Sequence, residues 1–281
     1  MTPADRLMRA TLVVYLAIFF AYLFLPLGFM MVAAFNDYRF PMVTPWRGTT
    51  LKWFADLGND PLLWDALGTS VVIGIVVVAI SLPLGLAGAL TLSRIAQRSR
   101  NLTYAVLVSP VLTPGIVIGI STILLWDQAF GLTGNWFIAS FAQASFISAY
   151  AMLLFLARLQ RFDPALEEAA LDLGATPAQV FRRITVPFLM PAILAAAALA
   201  FMQSFENYNT TLFSIGIDQT LTIYIATKVR QALTPAINAL AVVMIALSIA
   251  GAVAVEIAQR REARRAAERR ARAAIAELAP A

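Results

Sequence analysis

The sequence predicts an all-α membrane protein with six transmembrane helices and both termini cytoplasmic. Three observations carry this. The 281 residues are 60% hydrophobic and only 13% charged, whereas soluble domains are about half apolar and a quarter charged. Six windows free of Asp, Glu, Lys and Arg, namely 10–36, 66–93, 101–126, 128–157, 184–205 and 231–255, reach the roughly 20 apolar residues that a helix needs to cross a bilayer. Lysine and arginine are also shared unevenly between alternate connecting segments, which sets the orientation.

The windows can be justified in order. The first follows Arg6 and Arg9, as a secretory leader would. Its apolar stretch is about twice the length of a leader's hydrophobic region, which predicts an uncleaved span. The segment 36–65 follows, with Trp46, Trp53 and Trp64 read as interfacial aromatics. In the second window Ser81, Pro83, Gly85 and Gly88 are read as sites of kinks and close helix packing. Ser109, Pro110 and Pro114 are read the same way in the third, which is expected to form one span. In the fourth, Gly131, Gly134 and Asn135 mark a turn, so its helix starts near Trp136. The fifth and sixth windows complete a membrane domain over 1–258. A basic cytoplasmic tail over 259–281, lying near anionic lipid headgroups, ends the chain.

With the N-terminus inside, the inner segments hold Arg6, Arg9, Arg94, Arg98, Arg100, Arg158, Arg161, Arg182, Arg183 and the tail arginines. The outer segments hold Arg39, Arg47, Lys52, Lys228 and Arg230. That places 16 of the 21 basic residues inside. The net charge of +5 is therefore a topology signal, and nucleic acid is not an expected partner.

Composition also limits the chemistry. There are no cysteines or histidines, so thiol nucleophiles, imidazole bases and the usual zinc ligands are absent, and no metal site or catalytic residue is expected. No G-x-x-x-x-G-K-[ST] run occurs to cradle a nucleotide. A membrane enzyme would have to work with Asp, Glu, Lys or Arg alone, and no paired catalytic carboxylate is evident.

One polar segment stands out: EEAALDLGATPAQVFRRITVP, Glu167–Pro187. Asp163 and Pro164 predict a capped helix start. Gly174 fits a left-handed stop. Thr176, Pro177 and Gln179 predict a capping box that restarts the helix, and Pro187 and Pro191 punctuate entry to the fifth span. Helix, sharp turn, helix makes a rigid projection about 15 Å long in its first part.

The residues Glu168-Ala169-Ala170, then Gly174 after three more, then Ile184-Thr185-Val186-Pro187 after nine more, resemble the EAA loop of type I ABC importer permeases. Val186 stands where that pattern usually has Leu. The runs LKWFADLGNDPLLWDALGTSVVIG, LVSPVLTPGIVIGISTILL and LTPAINALAVVMIALSI are similar to the spermidine/putrescine branch. The resemblance covers about residues 50–258. It implies a non-catalytic transport subunit of the bacterial inner membrane. It also implies that segment 163–187 docks on an ATP-hydrolysing subunit through Glu168, Ala169, Ala170 and Gly174, with Glu167, Asp172 and Ala175 beside them. The implied partners are a second, homologous permease, two ATP-binding subunits that hold the ATP and Mg, and an extracytoplasmic solute-binding protein. No cofactor is implied for this chain. A secondary transporter driven by an ion gradient would not need such a loop.

Charged groups within spans are costly and therefore often functional. Glu206, in FMQSFENYNTTLF, is the principal candidate for a solute path. On a continuing helix Gln203, Glu206 and Asn207 share a face, with Ser204 and Tyr208 adjacent. A carboxylate with an aromatic ring suits an amine. Thr113, and Trp126 with Asp127 at the outer end of the third window, complete the candidate path. The polyamine branch usually carries adjacent acids where this chain has Glu206-Asn207, and a further acid near Leu112-Thr113-Pro114. An amino-acid derivative or another small solute is therefore the alternative to a polyamine.

Overall fold

The computed structural model describes residues 3–231 and 234–278. Twelve α-helices lie among them: α1 (Pro3–Ala33), α2 (Lys52–Gly58), α3 (Pro61–Arg94), α4 (Gln97–Leu112), α5 (Gly115–Phe130), α6 (Trp136–Leu159), α7 (Ala165–Asp172), α8 (Pro177–Val180), α9 (Val186–Phe205), α10 (Asn209–Ser214), α11 (Leu221–Gln231) and α12 (Pro235–Leu278). A π-helical turn, Phe181–Thr185, joins α8 to α9. The chain divides into two compact units. One combines the residues up to Asp60 with those from Lys228 on, and the other is Pro61–Thr227.

In the first unit α12 packs against α1 and α2. Almost the whole length of α1 is exposed, including Leu12, Val13, Phe19, Phe20 and Leu23. A helix that is apolar all round and unburied within its own chain is built for a lipid solvent. The connection after α1 folds around Asn36, which is fully buried. Its carboxamide donates to the carbonyls of Met42 (2.9 Å) and Pro45 (3.0 Å) and accepts from the Arg47 N–H. The Trp53 indole donates to the Asn36 carbonyl. Trp53 is thus a structural anchor, while Trp46 and Trp64 stay about half exposed. The lipid contact expected of the tail falls on arginines whose side chains, beyond Arg261, lie outside the described residues.

The second unit is built on α3, α6 and α9, which pack mutually. Ala89, Leu92, Met152, Phe155, Ala192 and Ala196 form one apolar cluster, and Ile73, Val77, Ala139, Ile147 and Ala200 lie in another. Small residues let the helices approach closely. A Cβ on Gly85 would sit 2.8 Å from both the Ser148 carbonyl and the Met152 nitrogen, so α3 meets the backbone of α6 there.

Among the described residues, five helical stretches are long and apolar enough to cross a membrane, and α4 with α5 meets the same length and composition only as a pair, bent by 99°. In place of the one continuous helix expected over 101–126 there are two, with a sharp break between them. Thr113 and Pro114 are both extended (ψ 131° and 132°). Proline pushes its predecessor out of the helical region and has no N–H to continue the ladder. Helix α6, in the fourth window, starts at Trp136 as read from sequence, because Asn135 accepts from the N–H groups of Phe137 and Ile138.

Candidate functional site

Two places in the second unit gather the residues singled out above. The first is the segment 163–187. Asp163 Oδ1 accepts from the Ala165 N–H at 3.0 Å, capping α7. The helix ends at a left-handed glycine, Gly174 with φ +84°. The Ala175 N–H reaches the Ala170 carbonyl and the Gly174 N–H reaches that of Leu171 (3.0 and 2.9 Å). This is the paired Schellman closure, which needs a residue free of the Cβ penalty at its left-handed position. Thr176 and Gln179 then form both bonds of the capping box.

The second part differs from expectation. Only Pro177–Val180 is α-helical before the chain widens into the π-turn, and the helix runs on through Pro187 to Phe205. The Val186 N–H bonds to the Phe181 carbonyl, one residue further back than in an α-helix. Inserting one residue gives Pro187 room in place of the bond it cannot donate. The projection is therefore one helix of eight residues, about 12 Å, set on the extended root of α9.

Among its residues, Glu168, Ala169, Asp172 and Gly174 are exposed, and Ala170 and Ala175 are half-buried. No residue of α7 is buried, and Leu166, Leu171 and Leu173 are exposed, Leu173 at 89%. Glu167 turns inward. Its Oε1 accepts from the buried Thr185 hydroxyl at 2.7 Å and its Oε2 lies 3.5 Å from Arg94.

The second place is a cavity of about 370 Å³. The end of α4 and start of α5 supply Pro110, Thr113 and Gly115. Helix α6 supplies Phe146 and Tyr150, and the end of α9 supplies Gln203. The α9–α10 connection adds Glu206, Asn207, Tyr208 and Asn209. The helix stops at Phe205, so Glu206 and Asn207 lie in a turn rather than on a continuing helical face. The turn still brings Gln203, Glu206, Asn207 and Tyr208 together with Thr113. Glu206 is exposed and supplies the lining's only carboxylate, and none of the described residues forms an ion pair with it.

Asn207 is held by its own fold. Its Oδ1 accepts from the Thr210 and Thr211 N–H groups, both at 3.2 Å, which caps α10. Ser204 does not line the cavity. It is buried and donates to Gln143 Oε1. Trp126 and Asp127 also lie outside the lining. Trp126 packs in an aromatic cluster with Phe130, Phe137 and Phe141, and the exposed Asp127 ends α5 through its carbonyl.

Gln143 was not singled out from the sequence. It is fully buried in α6, donates to Thr211 Oγ1 at 2.7 Å, accepts from Ser204, and so ties α6, α9 and α10 beside the cavity. Its signal was a lone carboxamide within an apolar span. The glycines of GIVIG were likewise passed over. A Cβ on Gly119 would lie 2.5 Å from the Thr210 carbonyl, so the bent half-span α5 clasps α10 through bare backbone.

Residues 81–267 match the family described as binding-protein-dependent transport system inner membrane component. The chain is 32% identical over 265 residues to the putrescine transport system permease protein PotI of Escherichia coli K12, covering 90% of this chain and 92% of that one. It is 28% identical over 237 residues to the spermidine/putrescine transport system permease protein PotC of Haemophilus influenzae, covering 84% and 91%. The fold is shared with a bacterial ABC transporter involved in the import of alginate, at TM-score 0.68 and 16% identity over 91% of this chain and 98% of that one. An amino acid ABC transporter aligns at TM-score 0.56 and 21% identity, over 76% of this chain and 100% of that one. The chain belongs to the binding-protein-dependent transport system inner-membrane components: it is a non-catalytic permease subunit of an ABC importer, working in the inner membrane with a solute-binding protein and an ATPase.

Proposed function

We propose that this permease carries a small polyamine of the putrescine or spermidine kind. The observation that carries the reading is the cavity's single carboxylate, Glu206, among Tyr208, Tyr150 and Phe146. An ammonium group is bound there by a charge-assisted hydrogen bond and by the faces of the aromatic rings. The similarity to PotI supports the same class. One carboxylate neutralises one ammonium, so the remaining amines need acceptors from elsewhere along the path. A second, homologous permease is the natural source of these.

The same reading sets the assembly: two permeases, two ATP-binding subunits holding ATP and Mg, and a solute-binding protein outside. Both termini face the cytoplasm, and α7 with its exposed leucines docks on an ATPase subunit. Closure of the ATPase pair pushes α7 and turns the cavity outward, and phosphate release reverses this. The basic tail lies on anionic lipid and has no nucleic-acid role.

A second reading is favoured by one specific observation. Thr113 and Asn207 occupy places where further acids would suit a polycation. An amino-acid derivative with one amine needs only Glu206. Titration calorimetry on the system's solute-binding protein separates the two, using putrescine, spermidine, neutral and acidic amino acids and small sugars. Tight binding of putrescine supports the first reading. Binding of a zwitterion with no polyamine binding replaces it with the second.

A further inference from the structure

Helix α7 stands away from the bundle. It buries no residue of its own, and a cavity of about 450 Å³, lined by Leu90, Leu171, Pro177 and Val180, lies beneath it. Glu167 also lines it and reaches Thr185. Its Oε1 accepts the hydroxyl proton of Thr185 at 2.7 Å, and its Oε2 meets Arg94 at 3.5 Å.

The two anchors differ in weight. Arg94 is 68% exposed, and an ion pair of that kind contributes little. Thr185 is 1% exposed, and a hydroxyl bonded to a carboxylate is among the stronger hydrogen bonds. Thr185 is also placed where a pull has reach. It closes the π-helical turn at the root of α9, and the 21 residues from Thr185 to Phe205 span about 31 Å as helix. π-turns mark functional sites within helices more often than chance.

We infer that Glu167 is a positioning residue that fastens α7 to the root of α9 through Thr185, so that displacement of α7 moves the cavity end of α9. Glu167 acts inside the subunit and does not contact the ATPase. This rests on the importer reading, in which α7 receives the push, but not on the identity of the solute.

The test uses the whole transporter reconstituted with its ATPase and binding protein. The chain has no cysteines, so Val111→Cys, on the cavity lining, gives this subunit a single maleimide site, and labelling is read on this subunit alone after separation of the subunits. The readouts are the labelling rate with and without ATP plus vanadate, the rate of ATP hydrolysis, and co-purification of the ATPase. In the parent, ATP plus vanadate changes the labelling rate. With Glu167→Ala or Thr185→Val the ATPase stays bound and hydrolysis continues, but that change shrinks about tenfold, within the range seen when coupling networks are cut. Thr185→Ser, which keeps the hydroxyl, restores it. The inference is overturned if both variants keep the full labelling change, or if Thr185→Ser behaves as Thr185→Val. It is also overturned if Glu167→Ala alone releases the ATPase, which would make Glu167 a docking residue. A parent that shows no nucleotide-dependent change at all would overturn the importer cycle itself.

Discussion

Replacing Gly174 tests the coupling turn with an energy that the geometry isolates. Gly174 has φ +84°, and a Cβ built there meets nothing within 4 Å. A side chain would therefore cause no clash, and the whole effect comes from the backbone. An L-residue in the left-handed region costs about 1–2 kcal/mol, with β-branched residues at the upper end and asparagine below it. The turn is held by two backbone hydrogen bonds, Ala175 to Ala170 and Gly174 to Leu171, which contribute about 1 kcal/mol each. Valine thus offsets nearly all that holds the turn, and 1.4 kcal/mol corresponds to about tenfold in its population. Gly174→Val should lower ATP-driven uptake per reconstituted subunit about tenfold, Gly174→Ala less, and Gly174→Asn less than about twofold. Proteoliposome uptake, normalised to subunit content, measures this order. Wild-type uptake with Gly174→Val would refute the reasoning, as would equal impairment by Asn, Ala and Val.

Other outcomes follow from single contacts. Glu206→Gln removes the cavity's only carboxylate and should reduce putrescine uptake about tenfold or more with the ATPase still bound; unchanged uptake takes Glu206 off the path. Gln143→Leu strips the buried Ser204 hydroxyl of its partner and should destabilise the purified subunit by about 1–3 kcal/mol, read as a fall in unfolding temperature. Thr176→Ala removes the capping box and should cost about 1 kcal/mol, with faster amide exchange over 177–180 as the signature. Gly119→Leu places a Cβ where the Thr210 carbonyl already lies 2.5 Å away and should destabilise by about 1–3 kcal/mol through overpacking.

Much of the fold was legible because local rules act alone in it. Length and lack of charge marked the spans, Asn135 fixed the start of α6, and Asp163, Gly174 and Thr176 each obey capping chemistry that depends on immediate neighbours. What was hidden depends on partners distant in sequence. The bend at Thr113-Pro114 sits in an unbroken apolar run, and hydropathy does not see a 99° turn. The π-turn before Pro187 relieves a proline without leaving the helix, so no boundary appears there. Ser204 looks like a solute contact in sequence yet serves Gln143, and Asn207, which does line the cavity, also caps α10. Glu167 is indistinguishable from its neighbour Glu168 in sequence, but its carboxylate is held by Thr185, 18 residues away.

The most direct test of the central claim is uptake of labelled putrescine into proteoliposomes containing this chain with its partner permease, ATPase and solute-binding protein. The account predicts accumulation that requires both ATP and the binding protein, that excess spermidine competes away, and that Glu206→Gln reduces. Accumulation of an amino acid but not of putrescine, or putrescine uptake that proceeds without ATP, would contradict it.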